Sequence, residues 1–190
     1  MRLDTLQDLY FDQIRDLYSA EQQIVDALPK MVEAATDEQL SAGFKEHLEQ
    51  TREHVRRLEE IGERMQEEIG GKKCKAMAGL LKEGEEAVEA DGEPTIVDSG
   101  LIAAAQRVEH YEIAAYGCAR TYAEALGLED DADLLQRTLD EEAETDERLT
   151  TLGLSLINAN SEQEVSIEPE VRRSGSRQGR SRPGESDVRA

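Results

Sequence analysis

Carboxylates and imidazoles interrupt the apolar faces of four long helical segments in this sequence. Most inward positions of these segments hold Leu, Ile, Ala or aromatic side chains, but each segment also places an ionisable group there. A charged side chain that is buried without a partner costs several kcal/mol, so these positions require an explanation. The groups are Glu21 in the first segment, His47 and His54 in the second, Glu109 and Glu112 in the third, and Glu142 in the fourth.

These six groups lie near the middle of their segments. The midpoints of helices in an antiparallel bundle lie at similar heights, so we expect the groups to converge on one volume of the core. Glutamate oxygens and imidazole nitrogens together suit iron or manganese, and the charge of a metal ion offsets the cost of burying carboxylates. The pattern predicts a site for one or two Fe or Mn ions per chain. His47 is either a ligand or a hydrogen-bond donor to one of the ligands.

Each of these positions has a simpler interpretation when it is taken alone. One inward glutamate can lie at the edge of an apolar stripe and reach water, and one core histidine is usually hydrogen-bonded within the protein. Their coincidence on four helices favours a single site. We assign His110 to the surface or to a contact with the ligands, Tyr116 to core packing, and to the solvated face Glu46, Glu49, Glu53, Glu141 and Glu144.

Helical periodicity with few breakers runs through most of the chain, and no segment alternates with the period of two that a strand requires. We expect helices over about 3–35, 37–69, 74–90, 94–126 and 130–158. Thr36 lies three residues before Gln39, which is the spacing of a capping box, and the second helix should stop at Gly70. Asp130 or Asp131 should cap the last helix.

The connections between these helices predict the topology. Tight turns join the first two long helices and the last two, so each pair should form an antiparallel hairpin. Roughly 25 residues with a short helix separate the pairs, enough to return the chain along a bundle. We therefore predict an all-α, ferritin-like four-helix bundle over 1–159, with a long crossover that carries a short fifth helix between helices two and three.

Composition and charge limit the partners of the chain. Its 190 residues carry a formal net charge of -21, which disfavours contact with nucleic acid and with anionic membranes. The N-terminus lacks the charged start and apolar run of a signal peptide, so we expect a cytoplasmic protein. Residues 160–190 are rich in Arg, Ser and Gly and should be disordered. This tail serves solubility or contacts an acidic partner.

Four short segments resemble a known family. They are Leu17–Gln23 (LYSAEQQ), His47–Thr51 (HLEQT), Glu109–Tyr116 (EHYEIAAY) and Leu139–Glu142 (LDEE). Their order and spacing are similar to those of the YciE/YciF group of ferritin-like proteins, and the likeness spans about residues 3–158. The resemblance implies a rubrerythrin-like bundle that forms a homodimer and takes part in stress responses.

The resemblance extends to the ligand pattern of di-iron bundles, in which two helices supply a Glu each and two supply Glu-x-x-His. Glu21 and Glu109 match the single glutamates, and Glu112 resembles the additional glutamate of rubrerythrins. The second helix keeps the histidine as His54 but has Thr51 in place of the glutamate. The fourth helix keeps Glu142 but has Thr145 in place of the histidine. His47 then offers a different donor.

These features leave the function open between two main hypotheses. In the first, the chain is a metal-dependent oxidoreductase that reacts with peroxide or dioxygen. It has no Cys-x-x-Cys pair of its own, so its electron donor would be a separate molecule. In the second, the chain is a non-enzymatic stress or interaction protein with a metal-free polar core. A storage shell of many subunits is a third hypothesis, and the acidic body argues against its binding DNA.

Overall fold

The structure, a computed structural model, describes the backbone of residues 3–174 and the side chains of residues 3–158. Over these residues it contains helices and no strands, which confirms the predicted all-α class. No helix of this part is long and apolar enough to cross a membrane. The elements are α1 (Leu6–Ala34), α2 (Glu38–Met65), α3 (Lys75–Val88), α4 (Pro94–Leu126) and α5 (Glu129–Ser174).

Two apolar clusters show how the helices run. The first joins the C-terminal half of α1 to the N-terminal halves of α2 and α4 and to Leu149 of α5. The second joins the N-terminal half of α1 to the C-terminal halves of α2 and α4 and to Leu135 of α5. Helix α1 is therefore antiparallel to α2, and α4 to α5, while α2 and α4 run in the same direction. This is the predicted topology, with α3 in the crossover.

The turn between α1 and α2 is held by a buried carboxylate from α4. Asp98, which is 1% exposed, accepts hydrogen bonds from the backbone N–H of Thr36 (2.9 Å), the Thr36 hydroxyl (2.7 Å) and the N–H of Asp37 (2.8 Å). Asp37 is the N-cap of α2 and accepts from Gln39 and Leu40. The predicted capping by Thr36 is wrong, because its hydroxyl is bonded to Asp98 instead.

Helix α2 ends at Met65, earlier than the predicted stop at Gly70. Gln66 adopts a left-handed conformation (φ 56°), and the Glu67 N–H donates to the Gly62 carbonyl, so the chain folds back over the last turn. Ile69 then packs on Gly62, where an added Cβ would lie 2.9 Å from Ile69 Cγ2. The end of α2 is therefore indicated by Gly62 within the helix, which leaves room for Ile69, and not by Gly70 or Gly71 beyond it.

Helix α5 differs from the prediction at both ends. It begins at Glu129, so Asp131 lies in its first turn, where it accepts hydrogen bonds from Tyr10 (3.1 Å) and Arg64 (2.9 Å). It continues to Ser174, past the predicted end at 158. The predicted disorder of 160–190 stays a prediction, since 175–190 lie outside the described residues.

Candidate metal centre

All six ionisable groups predicted for the core are buried and lie together. They sit between the two apolar clusters, at the level where Leu17 and Ile24 of α1 flank Glu21. None is more than 4% exposed: Glu21, His54, Glu112 and Glu142 are at 0%, Glu109 at 2% and His47 at 4%. The structure therefore brings together the full set of predicted ligands. Their role in binding metal stays a prediction.

The donor atoms of this cluster fall into two adjacent sets. One set contains Glu21, His54 and Glu142, and the other contains His47, Glu109, Glu112 and Glu142. Within each set one ligand atom per residue can be chosen so that all lie within 4.8 Å of one another, a spacing that suits ligands of a single ion. Glu142 belongs to both sets.

The two carboxylate oxygens of Glu142 face different histidines. Its Oε1 lies 3.0 Å from Nδ1 of His54, and its Oε2 lies 3.9 Å from Nε2 of His47. Each of these two ring nitrogens also lies near one further glutamate. His54 Nδ1 lies 3.4 Å from Glu21 Oε1, and His47 Nε2 lies 3.4 Å from Glu109 Oε1. Glu142 is thus placed between the two sets as a bridging carboxylate would be.

The hydrogen bonds of the protein leave this cluster unsatisfied. Buried polar atoms normally have a partner, and each exception needs a reason. Over the described side chains, all but one of the fully buried polar atoms without a hydrogen bond belong to the six predicted ligands. The exception is Arg120 Nε; the others are Glu21 Oε2, His47 Nε2, His54 Nδ1, Glu109 Oε2, and both oxygens of Glu112 and of Glu142. Such a set of lone pairs fits one or more cations.

The pKa values of two of the glutamates are raised. Burial, followed by the negative charge of Glu142, raises the pKa of Glu109 well above its usual value. Burial also raises the pKa of Glu112, and the charges of Glu21 and Glu142 act in the same direction. These shifts follow from placing several carboxylates in one dry volume. A bound cation would favour the ionised carboxylates and so oppose both effects.

The neighbours of His54 have the opposite effect on it and favour its charged form. Burial alone would lower its pKa, but Glu21, Glu141 and Glu142 together raise it to about 12. The pKa of Glu142 is lowered, because the attraction of His54 outweighs its burial. These opposite shifts favour a buried ion pair between His54 and Glu142, whereas the raised pKa values of Glu109 and Glu112 favour their neutral forms.

A carboxylate that sequence analysis placed on the solvated face contacts the far side of His54. Glu141 Oε2 lies 2.8 Å from His54 Nε2, and Arg57 holds the same carboxylate with bonds of 2.7 and 2.9 Å. Two charged partners outweigh the partial burial of Glu141 and lower its pKa to about 2. The assignment of Glu141 to the solvated face is wrong, because α5 turns it toward Arg57 of α2.

The two threonines that replace ligands of the usual pattern have other partners. The Thr51 hydroxyl donates to the carbonyl of His47 at 2.8 Å, one turn earlier in α2. The Thr145 hydroxyl donates to the carbonyl of Glu141 at 3.0 Å and lies 3.4 Å from Nδ1 of His47. His47 therefore lies next to Thr145, which occupies the position of the histidine that the fourth helix usually supplies.

The remaining sequence assignments fall near the cluster. Tyr116 is buried as predicted, and its hydroxyl also donates to Glu21 Oε1. The side chain of His110 is 70% exposed and lies 3.3 Å from Asp146, so its assignment to the surface is correct. Sequence analysis missed a second polar cluster. In it the Tyr111 hydroxyl donates to Asp16 at 2.6 Å and lies 3.0 Å from the Cys74 sulfur. No local pattern links those three residues.

The helices and the buried cluster define the class of protein. A four-helix bundle with one long crossover, and with carboxylates and histidines at the middle of its core, is ferritin-like. A two-domain protein from Anabaena variabilis, with a DJ-1/ThiJ/PfpI-like and a ferritin-like domain, is similar in fold, with a TM-score of 0.52 at 14% identity. That match covers 97% of this chain and 42% of the other.

Sequence comparison gives the family. Residues 5–162 match the family described as a domain of unknown function, DUF892. The chain is also 42% identical over 163 residues to Protein YciF of Escherichia coli strain K12, a match that covers 85% of this chain and 98% of YciF. The chain belongs to this YciF-containing family, which confirms the resemblance found in the sequence motifs.

Solved structures of relatives agree with this assignment. The crystal structure of the E. coli stress protein YciF matches with a TM-score of 0.80 and 42% identity, over 82% of this chain and 99% of that chain. The structure of YcfI from Rhodopseudomonas palustris matches with a TM-score of 0.75 and 42% identity, over 78% and 94% of the two chains.

Proposed function

We propose that the buried cluster binds two divalent iron or manganese ions, one in each donor set, with Glu142 as the bridging ligand. Glu21 and His54 complete one set, and His47, Glu109 and Glu112 complete the other. The observation that carries this proposal is the placement of Glu142, whose two oxygens face histidines of different sets at 3.0 and 3.9 Å.

Charge balance supports two divalent ions in particular. The cluster contains four carboxylates, from Glu21, Glu109, Glu112 and Glu142, together with two imidazoles. Four carboxylates in the ionised form and two neutral imidazoles carry four negative charges, which two divalent cations neutralise. A neutral assembly is the form that a buried site tolerates best.

The donor types restrict the metal. Carboxylates with one imidazole per set suit iron and manganese, whereas calcium and magnesium prefer oxygen alone and structural zinc prefers thiolate or several imidazoles. In such an environment the bound ions supply redox chemistry toward peroxide or dioxygen. The chain holds the ligands in place with Tyr116 and Glu141, and the two apolar clusters pack above and below them.

We assign this chemistry to a stress response, because the structure of E. coli YciF is described as that of a stress protein. The reaction would be the reduction of a peroxide by two electrons, with electrons then restored by a separate donor molecule. The chain would act as a homodimer in the cytoplasm.

Variants of single donor sets test the proposal. His54→Ala removes a ligand from the first set, and His47→Ala removes one from the second. Each should leave one ion bound when Mn(II) or Fe(II) is titrated against a competing chelator. His110→Ala, at an exposed histidine outside the cluster, is the matched control and should bind as the wild type.

Reaction with hydrogen peroxide tests the redox part. The Fe(II)-loaded protein, kept free of oxygen, should consume one peroxide for every two ions oxidised, because two Fe(II) supply the two electrons. The His47→Ala and His54→Ala variants should react more slowly, because one chain then no longer supplies both electrons. Tight binding of two ions without peroxide consumption would leave a metal protein that is not a peroxidase.

A further inference from the structure

A large cavity lies beside the metal cluster, in the half of the bundle covered by α3. Its volume is about 860 Å³, which is within the range of small-molecule binding sites. All of its lining residues belong to the compact unit Met1–Ile157. The walls come from all five helices and are largely apolar, including Ile24, Leu28, Leu40, Phe44, Leu81 and Val108.

One part of this cavity is formed by the metal cluster itself. His47 and Glu109, both from the second donor set, line the cavity, whereas Glu21 and His54 of the first set do not. A molecule in the cavity would therefore contact the second set directly. Other polar and charged residues, such as Lys30, Lys82 and Arg148, also line the cavity, but most of its accessible surface is apolar. An apolar surface with a few polar groups is the usual composition of a binding site for an organic molecule.

Small residues keep space open next to these two ligands. Gly43 lies one turn before His47 on α2, and Ala105 lies one turn before Glu109 on α4; both line the cavity. A Cβ added at Gly43 would meet no atom within 4 Å. Glycine inside a helix costs about 1 kcal/mol relative to alanine, and no close packing at this position requires it.

We propose that this cavity binds the hydrocarbon part of an organic hydroperoxide and directs its O–O group to the second donor set. The inference rests on the proposed function and specifies its substrate class. Hydrogen peroxide has no apolar body and would leave these walls without a partner. An apolar hydroperoxide fills them, and the negative charge of the chain does not oppose a neutral molecule.

The reaction balances with the components of the proposed site and one reductant. In the loaded protein the O–O bond of ROOH would break with the uptake of two electrons from the two bound ions and two protons from the buffer acid, which gives ROH and H₂O. Each ion loses one electron. A one-electron reductant, ascorbate in the assay, returns the ions to the divalent state.

Binding to the metal-free protein tests the cavity without relying on the metal site. The neutral fluorophore N-phenyl-1-naphthylamine should bind to the full-length chain with one site. Gly43→Phe should fill the cavity and weaken binding by at least about tenfold. Gly100→Phe is the matched control, since Gly100 is also half-buried in a helix with open space around it but does not line the cavity. Equal binding by Gly43→Phe and wild type, at unchanged helical content, would overturn the proposal.

Turnover by the metal-loaded protein tests the substrate class. The kcat/KM for cumene hydroperoxide should exceed that for hydrogen peroxide, and Gly43→Phe should lower only the former, by about tenfold or more. A second variant, Ala105→Leu, should act in the same way. If both substrates are affected equally, the cavity does not select the substrate. If metal fails to bind while the fluorophore still does, the metal site is at fault and the assignment of a hydroperoxide falls with it.

Discussion

The Nε2 atom of His54 lies 2.8 Å from Oε2 of Glu141, on the opposite side of the ring from Glu142. A carboxylate at this position holds the Nε2 proton and leaves Nδ1 to face the donor set. Arg57 holds Glu141 in turn with two hydrogen bonds, so two residues, Glu141 of α5 and Arg57 of α2, orient the His54 ring.

Loss of this outer carboxylate should weaken metal binding. In Glu141→Gln the ring of His54 loses its charged acceptor, and we expect the affinity for Mn(II) to fall by about 10- to 100-fold. Competition with a chelator of known affinity measures the change. Glu144→Gln, at an exposed glutamate of the same helix, is the control. Equal affinities for the two variants would show that Glu141 does not orient a ligand.

Removal of Glu112 should separate metal binding from stability. Both of its oxygens are buried without a partner, so Glu112→Leu should raise the free energy of unfolding of the metal-free protein at pH 8 by about 1–3 kcal/mol. The same variant should lose metal affinity. Urea unfolding followed by circular dichroism measures the first effect, with exposed Glu144→Leu as the control. A destabilised metal-free variant would indicate that Glu112 belongs to a hydrogen-bonded polar core instead.

The metal-free protein should become less stable as the pH rises above about 5. The folded pKa values of Glu109 and Glu112 are raised, so their contribution is complete below the pKa of the unfolded chain and is lost as the pH increases. Each group contributes a slope of about 1.4 kcal/mol per pH unit while it holds its proton only in the folded state. Glu141 has the opposite effect on stability, because its pKa is lowered to about 2. Its contribution is lost only as the pH falls below the ordinary pKa of a glutamate.

A double variant isolates this effect. Glu109→Gln/Glu112→Gln keeps His54, whose raised pKa also lowers stability with rising pH, so that term cancels in the comparison with wild type. Unfolding free energies between pH 5.5 and 8 should fall more steeply for the wild type than for the variant. In the wild type, metal binding should also release protons and strengthen with pH. Parallel curves for the two proteins would show that these glutamates are ionised in the fold.

Asp98 should stabilise the fold without affecting the site. It accepts three hydrogen bonds from the α1–α2 turn while buried, so Asp98→Ala leaves two backbone N–H groups unpaired. We expect a loss of about 2–4 kcal/mol in unfolding free energy. Asp91→Ala, at an exposed aspartate near the start of the same helix, should change it by less than about 0.5 kcal/mol. The folded Asp98→Ala protein should bind metal as the wild type does.

The positions of the six core groups could be predicted because burial on a long helix follows a simple period. Glu21 lies in register with Leu17 and Ile24, and the same rule selects Glu142 between Leu135 and Leu149. The convergence of these groups followed from the antiparallel topology. The periodicity along each helix therefore predicts most of the fold and the members of the cluster.

Contacts between helices could not be predicted in the same way. Glu141 is adjacent to an inward residue and has no local feature that distinguishes it from exposed Glu144. Its role depends on Arg57, 84 positions away in the chain. Asp98 likewise caps a turn 62 residues earlier, and Asp131 pairs with Arg64 across the bundle. Such pairs depend on the axial register of neighbouring helices, which the periodicity of one helix does not specify.

The metal content of the purified chain tests the central claim most directly. The protein should be prepared without an affinity tag or chelator, exposed to Fe(II) or Mn(II), desalted and measured by inductively coupled plasma mass spectrometry. We predict two ions per chain in the wild type and none in Glu142→Ala, because Glu142 belongs to both donor sets. A well-folded wild-type protein that retains no metal would contradict the account, as would a Glu142→Ala variant that retains both ions.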